Sequence, residues 1–320
     1  MIVLLAISTW ALNTAWGQSL RLEQTDESIT IQRDGQTVLR YNIQSPPVPS
    51  GIDKIYRRSG FLHPVCSPRG VTVTETFPAD HPHQHGIFSA WVRTVYDGEP
   101  IDFWNLAGGT GRVLHDRVVR TFEHENSIGF EADLLHRKQS DPPADVLRER
   151  WKITVPQTDS NHHLIDLQIR QSIIGDKPLT VSKYHYGGVA LRGLTRWLVA
   201  SEKSRGGSAD SIRESSQFIN DAGSDRIKGN LEHANWVALS GSVEGRPVTI
   251  AALCHPTNFR APQAARLHPT KPYFCFAPCA DGEFTIDSDH PYEAKYRFLI
   301  TDELPDAAWL NDQWQLWCDE

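Results

Sequence analysis

The stretch that decides the fold class is Ser28–Tyr41, which reads SITIQRDGQTVLRY. Its two halves alternate apolar and polar residues on either side of Asp34-Gly35, and this arrangement is the strongest short-range signal for a β-hairpin. The reversals at Asp97-Gly98 and Glu244-Gly245 repeat the pattern, and further short apolar segments end at Pro, Asn, Asp or Gly. The sequence therefore predicts an all-β protein, either a sandwich or a barrel, and not an α/β fold.

Only one helix is predicted, from Pro305 to Trp317, with Asp302 as its N-cap. A common apolar stripe supports it, formed by Ala307, Leu310, Trp314 and Trp317. Between Ala200 and Lys228 the composition turns to Ser, Gly, Asp and Arg, which predicts a long surface loop and a weak internal boundary.

Composition narrows the choice of partners. The chain has 320 residues, 39% of them hydrophobic, and a formal net charge of -7. This charge gives no electrostatic reason to expect nucleic acid or an anionic membrane as a partner. Five cysteines allow two disulfides with one thiol left over, and the pairing stays open.

The first residues predict an export signal. Residues 1–15 are mainly apolar, and Ala15-Trp16-Gly17 offers small residues at cleavage-type positions, although no Lys or Arg precedes the apolar run. We expect a signal peptide at 1–17, a secreted or periplasmic protein, and a single β-sandwich domain at 18–320. No later stretch is long and apolar enough for an integral membrane segment in the mature chain.

The strongest chemical signal is Phe77–Gly86, which reads FPADHPHQHG. If this stretch is extended, the period of two places His81, His83 and His85 on one face. Imidazole exchanges protons near neutrality and is also the commonest metal ligand. The stretch therefore predicts either acid–base chemistry or a metal site.

An ordered set of motifs resembles the secreted bacterial family labelled "methane oxygenase PmoA", over Ile55 to Asp302. The motifs are Phe61–Pro64, Ser67–Gly70, Asp80–Gly86, Asp102–Trp104, Tyr186–Gly188, Leu191-Arg192, Asn235-Trp236 and His255–Arg260. Gln84 departs from the pattern, because many members have a second histidine there. The resemblance implies a β-supersandwich similar to galactose mutarotase. The copper enzyme that the label names is built on membrane helices, so we do not expect a literal methane oxygenase.

The leading hypothesis is a secreted carbohydrate-active enzyme of the epimerase, lyase or hydrolase type. Histidines and a carboxylate would move protons, while aromatic and polar groups would hold a sugar in an open cleft. The catalytic candidates are His83, His85, His185 and Asp80. The substrate-binding candidates are His63, Trp104, Tyr186, Arg192, His255, Asn258 and Arg260.

Two alternatives remain open. The first is a divalent-metal site for Zn, Cu or Fe, built from His81, His83 or His85 together with His115 or His255. No cofactor is assigned from the sequence, and a divalent metal is the one candidate. The second is a non-catalytic glycan-binding module that stacks sugars on Trp91, Trp104 and Trp236. The sugar and the oligomeric state are not predicted.

Overall fold

The structure is a computed structural model that describes residues 20–158, 161–198 and 216–320. The predicted signal peptide at 1–17 lies outside the described residues. Within them the chain forms antiparallel strands and one α-helix, α1, at Ala307–Cys318. The strands are β1 Leu20–Gln24, β2 Ser28–Arg33, β3 Gln36–Asn42, β4 Leu62–Val65, β5 Ile87–Ala90, β6 Thr94–Tyr96, β7 Glu99–Ile101, β8 Gly111–His124, β9 Ser127–Lys138, β10 Ala144–Pro156, β11 His162–Ile173, β12 Leu179–Val181, β13 Gly188–Arg192, β14 Ser216–Asn220, β15 His233–Ala234, β16 Trp236–Val243, β17 Arg246–Cys254, β18 Gln263–Leu267, β19 Tyr273–Phe276, β20 Phe284–Ile286 and β21 Tyr292–Thr301.

The described strands form three sheets. The first has nine strands in the order β1-β2-β3-β4-β5-β13-β19-β18-β15. The second has eight, in the order β14-β16-β17-β21-β11-β10-β9-β8, and the third is the four-stranded sheet β20-β12-β6-β7. Strands from distant parts of the chain, such as β5 and β13, are therefore neighbours.

The three predicted hairpins are confirmed. Asp34-Gly35 joins β2 to β3, Asp97-Gly98 joins β6 to β7, and Glu244-Gly245 joins β16 to β17. In each turn both central residues have positive φ, for example 50° at Asp34 and 80° at Gly35. Such turns match the right-handed twist of the flanking strands, and glycine adopts this backbone conformation without steric cost.

The two large sheets pack face to face around an apolar core. The ring of Tyr41 on β3 lies 5.2 Å from that of Phe130 on β9 and 6.2 Å from that of Trp151 on β10. Phe274 on β19 meets Phe218 on β14 at 5.9 Å. The all-β sandwich with one C-terminal helix is therefore confirmed.

Helix α1 begins two residues later than predicted, and its predicted cap was wrong. Asp306 is the N-cap, and its Oδ1 accepts the backbone N–H of Trp309 at 2.7 Å. Asp302 instead accepts the backbone N–H of Arg69 at 2.8 Å. Leu310 and Trp317 are buried, as the apolar stripe predicted. None of the helices in the described ranges has the length and apolarity to cross a bilayer.

The predicted surface loop between Ala200 and Lys228 is partly wrong. Residues 216–220 form strand β14, which pairs with β16 at the edge of the eight-stranded sheet. The apolar side chain of Phe218 explains this, because it enters the core on the inner side of the strand. Residues 221–228 form turns and irregular backbone, as predicted, and residues 200–215 of the predicted loop lie outside the described residues.

Candidate functional site

The histidine stretch forms two tight turns, so the prediction of an extended segment was wrong. The backbone N–H of His81 donates to the carbonyl of Pro78 at 3.0 Å, and that of Gln84 donates to the carbonyl of His81 at 2.9 Å. In a strand, alternate side chains would point to the same face. Because this stretch forms turns instead, the three imidazoles do not lie on one common face. His81 and His83 are partly exposed, whereas His85 is fully buried.

His85 is held inside the protein. Its ring lies 5.1 Å from that of Phe61 and 4.7 Å from that of Phe77, and its Nδ1 lies 2.8 Å from the Thr76 hydroxyl. Burial is the main cause that lowers the pKa of His85 well below its usual value. The structure therefore does not bring this predicted catalytic residue to an open site.

The turns lie over the outer face of the nine-stranded sheet. Arg192 at the end of β13 pairs with Tyr273 on β19, so their side chains lie on the same face. The next residue, Phe274, lies on the opposite face and contacts the eight-stranded sheet. Arg192 and Tyr273 therefore face away from the inter-sheet core, and loops cover them there.

A cavity of about 220 Å³ opens on this outer face. We call it the imidazole pocket; it is lined by His81, His83, Gln84, Trp104, Asn105, His185, Tyr186, Arg266, His268 and Tyr273. The ring of His81 lies 5.5 Å from that of His83 and 5.8 Å from that of His268. Four imidazoles from three separate parts of the chain thus share one small space.

Asp80 and Arg192 lie beneath the lining of the pocket and form hydrogen bonds with residues of that lining. Asp80 accepts two hydrogen bonds from the Arg192 guanidinium, at 2.9 and 3.0 Å, and lies 3.1 Å from Nδ1 of His81. Arg192 is fully buried and also donates to the side chain of Gln84 at 3.0 Å. Burial acts to raise the pKa of Asp80, but the hydrogen bonds and charges of His81 and Arg192 outweigh it and hold that pKa well below its usual value. Asp80 is thus an anion that orients the His81 ring.

Two of the imidazoles are held neutral. Burial, followed by the proximity of His81 and Arg192, lowers the pKa of His83 to about 3. Burial, followed by Arg266, His81 and Arg192, lowers the pKa of His268 to about 3. Nδ1 of His268 accepts the backbone N–H of Lys271 at 3.1 Å, so its proton is on Nε2. At neutral pH His83 has a free lone pair and His268 has a free donor.

Aromatic rings and amides complete the lining. The Tyr186 ring lies 5.3 Å from that of Trp104 and 4.8 Å from that of His185, and its hydroxyl donates to Oδ1 of Asn105 at 3.2 Å. Burial is the main cause that raises the pKa of Tyr186 well above its usual value. Asp102 holds Asn105 in place by accepting both its backbone and side-chain N–H groups. Trp104 and Tyr186, both predicted to bind substrate, therefore lie side by side in the lining, where Trp104 is fully buried and Tyr186 is partly exposed.

The sequence did not identify Arg266, His268 or Lys271. Arg266 donates to Oδ1 of Asn230 at 2.6 Å and has no carboxylate partner among the described residues. Lys271 lies 3.5 Å from a carboxylate oxygen of Asp80 and is mostly buried. The available signal was weak: Arg266 and His268 are polar residues two apart at the end of a buried strand. The pocket thus contains more cations than anions.

The predicted group at His255–Arg260 does not line the pocket. The His255 ring packs 5.0 Å from that of Trp317 on helix α1. Asn258 is buried and bonds with both backbone groups of Lys295. Arg260 donates to backbone carbonyls, such as that of Pro278 at 2.7 Å. These polar side chains satisfy backbone groups in loops, and this explains why a structural cluster resembled a binding motif.

His63 and His115 also lie outside the pocket. His63 lines a separate groove, and its Nδ1 lies 2.9 Å from the Thr74 hydroxyl. Nδ1 of His115 lies 2.8 Å from the hydroxyl of Tyr41. Within the described ranges no group of three or more His, Cys, Asp or Glu side chains has a metal-binding arrangement. The metal site predicted from His81, His83 or His85 with His115 or His255 is therefore not assembled.

The stacking surfaces predicted for a glycan-binding module are mostly internal. Trp91, Trp104 and Trp236 are all fully buried. Trp91 donates to Gln171, and Trp236 donates to Asn311. The five cysteines are all unpaired thiols. Neither Trp91 and Trp236 nor the thiols contribute to the imidazole pocket.

The fold and site together define an all-β sandwich protein with an imidazole-rich pocket on the outer face of its larger sheet. A model for the family of unknown function DUF6807 matches residues 28–315. The chain belongs to this family, whose description assigns no activity and does not include the label suggested by the sequence resemblance. No curated protein matches the chain.

Two solved structures show distant likeness. One is a protein named as a kojibiose phosphorylase, from the human microbiome, with 10% identity, a TM-score of 0.33, and coverage of 92% of this chain and 32% of that one. The other is the alpha-N-acetylgalactosaminidase NagBb from Bifidobacterium bifidum in complex with GalNAc, with 13% identity, a TM-score of 0.31, and coverage of 90% and 36%. The chain spans about a third of the length of either structure. With such low TM-scores, neither likeness decides the function of this chain.

Proposed function

We propose that this protein is a carbohydrate-active enzyme that binds a sugar in the imidazole pocket and moves protons with histidines. The observation that carries the proposal is the meeting of four imidazoles with Arg266 and the Trp104–Tyr186 pair in one open cavity. Sugar hydroxyls suit the many donors and acceptors, and the partly exposed ring of Tyr186 suits a pyranose ring.

The chemistry favours an epimerase or a lyase over a hydrolase. Glycoside hydrolysis ordinarily uses two carboxyl groups that flank the scissile bond. The lining residues include no carboxylate, and Asp80 beneath them is committed to Arg192 and His81. Imidazoles therefore have to carry the protons.

A balanced proton transfer can be written with these groups. His83 takes a proton from a sugar carbon next to a carbonyl or carboxylate, and the electron pair moves onto that group, where Arg266 and the Nε2–H of His268 stabilise it. In epimerisation, His81 returns a proton to the other face of the carbon. In elimination, the electron pair instead forms a C=C bond, the glycosidic C–O bond breaks, and the leaving oxygen takes the proton from His81. Asp80 orients the His81 ring in both cases.

The test is turnover on a panel of neutral and acidic oligosaccharides. We expect His83→Ala to lower kcat/KM by about 10²–10⁴-fold, because one proton-transfer group is lost. His124→Ala, which removes an exposed imidazole in the β8–β9 hairpin, is the matched control and should retain wild-type turnover. The proposal fails if no substrate is turned over, or if His83→Ala equals the wild type on every substrate that is.

A further inference from the structure

A second, larger cavity of about 870 Å³ lies along strands β3 and β4. We call it the basic groove; its charged lining is Arg40, Lys54, Arg57 and Glu27, and Pro46 and Pro47 form part of one wall. Three cations against one carboxylate give the groove an excess of positive charge, although the whole chain carries a net charge of -7. The charge of the groove is therefore opposite to that of the protein as a whole.

The cations of the basic groove are not neutralised by the protein. Within the described ranges, Arg40, Lys54 and Arg57 form no ion pair with a carboxylate, and Nε of Arg40 is buried without a hydrogen-bond partner. Burial, followed by the charge of Arg40, lowers the pKa of His63 to about 4. Burial and the nearby charge of Arg57 likewise lower the pKa of Arg112. Repulsion between neighbouring cations, such as Arg57 and Arg112, is relieved when an anion binds near them.

The basic groove adjoins the imidazole pocket. Tyr56 lies between Lys54 and Arg57 in the chain, and its ring lies 6.5 Å from that of His83. Thr76, which also lines the groove, is hydrogen-bonded to His85, only two residues from His83. A short turn therefore separates the two cavities, and one extended ligand can contact both.

We propose that the ligand of this protein is an acidic polysaccharide chain, whose carboxylate or sulfate groups bind the basic groove while one sugar unit occupies the imidazole pocket. The inference rests on the proposed function of the pocket and names its substrate class. Guanidinium groups suit both anions because they donate two parallel hydrogen bonds. Arg266 provides the corresponding positive charge at the pocket.

An anionic ligand also changes the proton chemistry of the pocket. Burial, followed by the nearby charges of His81 and Arg192, lowers the pKa of His83 and makes it a weak base, while the nearby Asp80 acts to raise that pKa. A bound carboxylate or sulfate adds negative charge near the ring and raises the pKa of His83 toward the range useful for catalysis. Neutral sugars lack this effect, so we expect acidic chains to bind more tightly and to react faster.

The experiment compares binding and turnover for oligosaccharides of matched length that carry uronates, sulfate esters or no charge. We expect the Lys54→Ala/Arg57→Ala double variant of the full chain to bind acidic hexasaccharides at least about tenfold more weakly, because charge-assisted hydrogen bonds are lost. Neutral hexasaccharides, which carry no anion for the basic groove, should bind equally well to both proteins. Arg246→Ala, an exposed cation on β17, is the matched control and should bind as the wild type does. Thermal unfolding verifies that the variants are folded.

The outcomes separate this inference from the proposed function. Preference for uronates or for sulfates supports the inference and identifies the anion. Neutral chains that bind as tightly as acidic ones, or a double variant with wild-type affinity for long acidic chains, overturn it, even if His83 still proves necessary for turnover. Anion-dependent binding in the basic groove without turnover on any substrate supports the groove as a binding site and overturns the enzymatic role of the pocket.

Discussion

Two parts of this molecule contain the same three kinds of group and differ in access to solvent. One is the pocket anchor, formed by Asp80, His81 and Arg192. The other, which we call the sealed cluster, is Arg58, His136 and Glu149 between the two large sheets. Nε2 of His136 lies 2.5 Å from Oε2 of Glu149, and both side chains are fully buried. The side chain of His81, by contrast, is 31% exposed.

The comparison shows that a carboxylate beside an imidazole and a guanidinium does not by itself define a site. In the sealed cluster Glu149 also accepts from Nε1 of Trp151 at 2.7 Å, and burial lowers the pKa of Arg58 to about 10. No route connects such groups to a ligand, so their role is to fix how the sheets pack. In the pocket anchor, the same three kinds of group lie beside an open cavity that further imidazoles line.

The largest effect on stability is expected from the sealed cluster. Glu149→Ala leaves His136 without its hydrogen-bonded carboxylate and removes the negative charge that acts on Arg58 in a low-dielectric core, which should lower the free energy of unfolding by about 3–5 kcal/mol. Urea unfolding at neutral pH measures the change. Glu293→Ala, which breaks an exposed ion pair with Arg170, should cost only about 0–1 kcal/mol. If Glu149→Ala lowers the free energy of unfolding as little as Glu293→Ala does, the sealed cluster does not have the structural role described here.

The two clusters should also differ, by a smaller amount, in how their contributions to the free energy of unfolding depend on pH. The folded pKa values of His83 and His268 are about 3, below the unfolded value near 6.5, so the unfolded chain binds protons first as the pH falls. Stability should therefore decrease from about pH 6.5 downward, by on the order of 2–3 kcal/mol by pH 5 for the two residues together. Glu149, whose pKa is lowered in the folded protein, contributes stability that is lost only at more acidic pH.

The same pH series on a His83→Gln/His268→Gln double variant tests the assignment. Glutamine does not titrate, so the fall in stability between pH 6.5 and 5 should be shallower than in the wild type. Urea midpoints at pH 7, 6 and 5 measure the slope. Identical slopes in the two proteins would show that the pocket imidazoles are not held neutral by the fold.

Local turn chemistry made the fold largely predictable. Asp34-Gly35, Asp97-Gly98 and Glu244-Gly245 each fix a hairpin through two residues of positive φ, and that information lies within a few residues. The start of helix α1 was harder to predict, because Asp302 and Asp306 are both acceptable N-caps. Only the tertiary contact of Asp302 with Arg69 decides between them.

The site was only partly predictable, because its members meet through long-range strand pairing. Asp80, His83, His185 and Arg192 were predicted from motifs, and the structure places them at the pocket or directly beneath it. Arg266 and His268 carry no motif and arrive through the pairing of β18 with β19. His85 was misplaced because two turns break the alternation on which its prediction depended.

The central claim is that a sugar binds and reacts in the imidazole pocket, beside the pocket anchor. A crystal structure of the His83→Ala variant with an acidic oligosaccharide tests it most directly, since that variant is expected to bind without turnover. We predict a sugar unit in the imidazole pocket, within hydrogen-bonding distance of Arg266 and His268. A ligand bound elsewhere, with the pocket unoccupied at saturating concentration, would contradict the account.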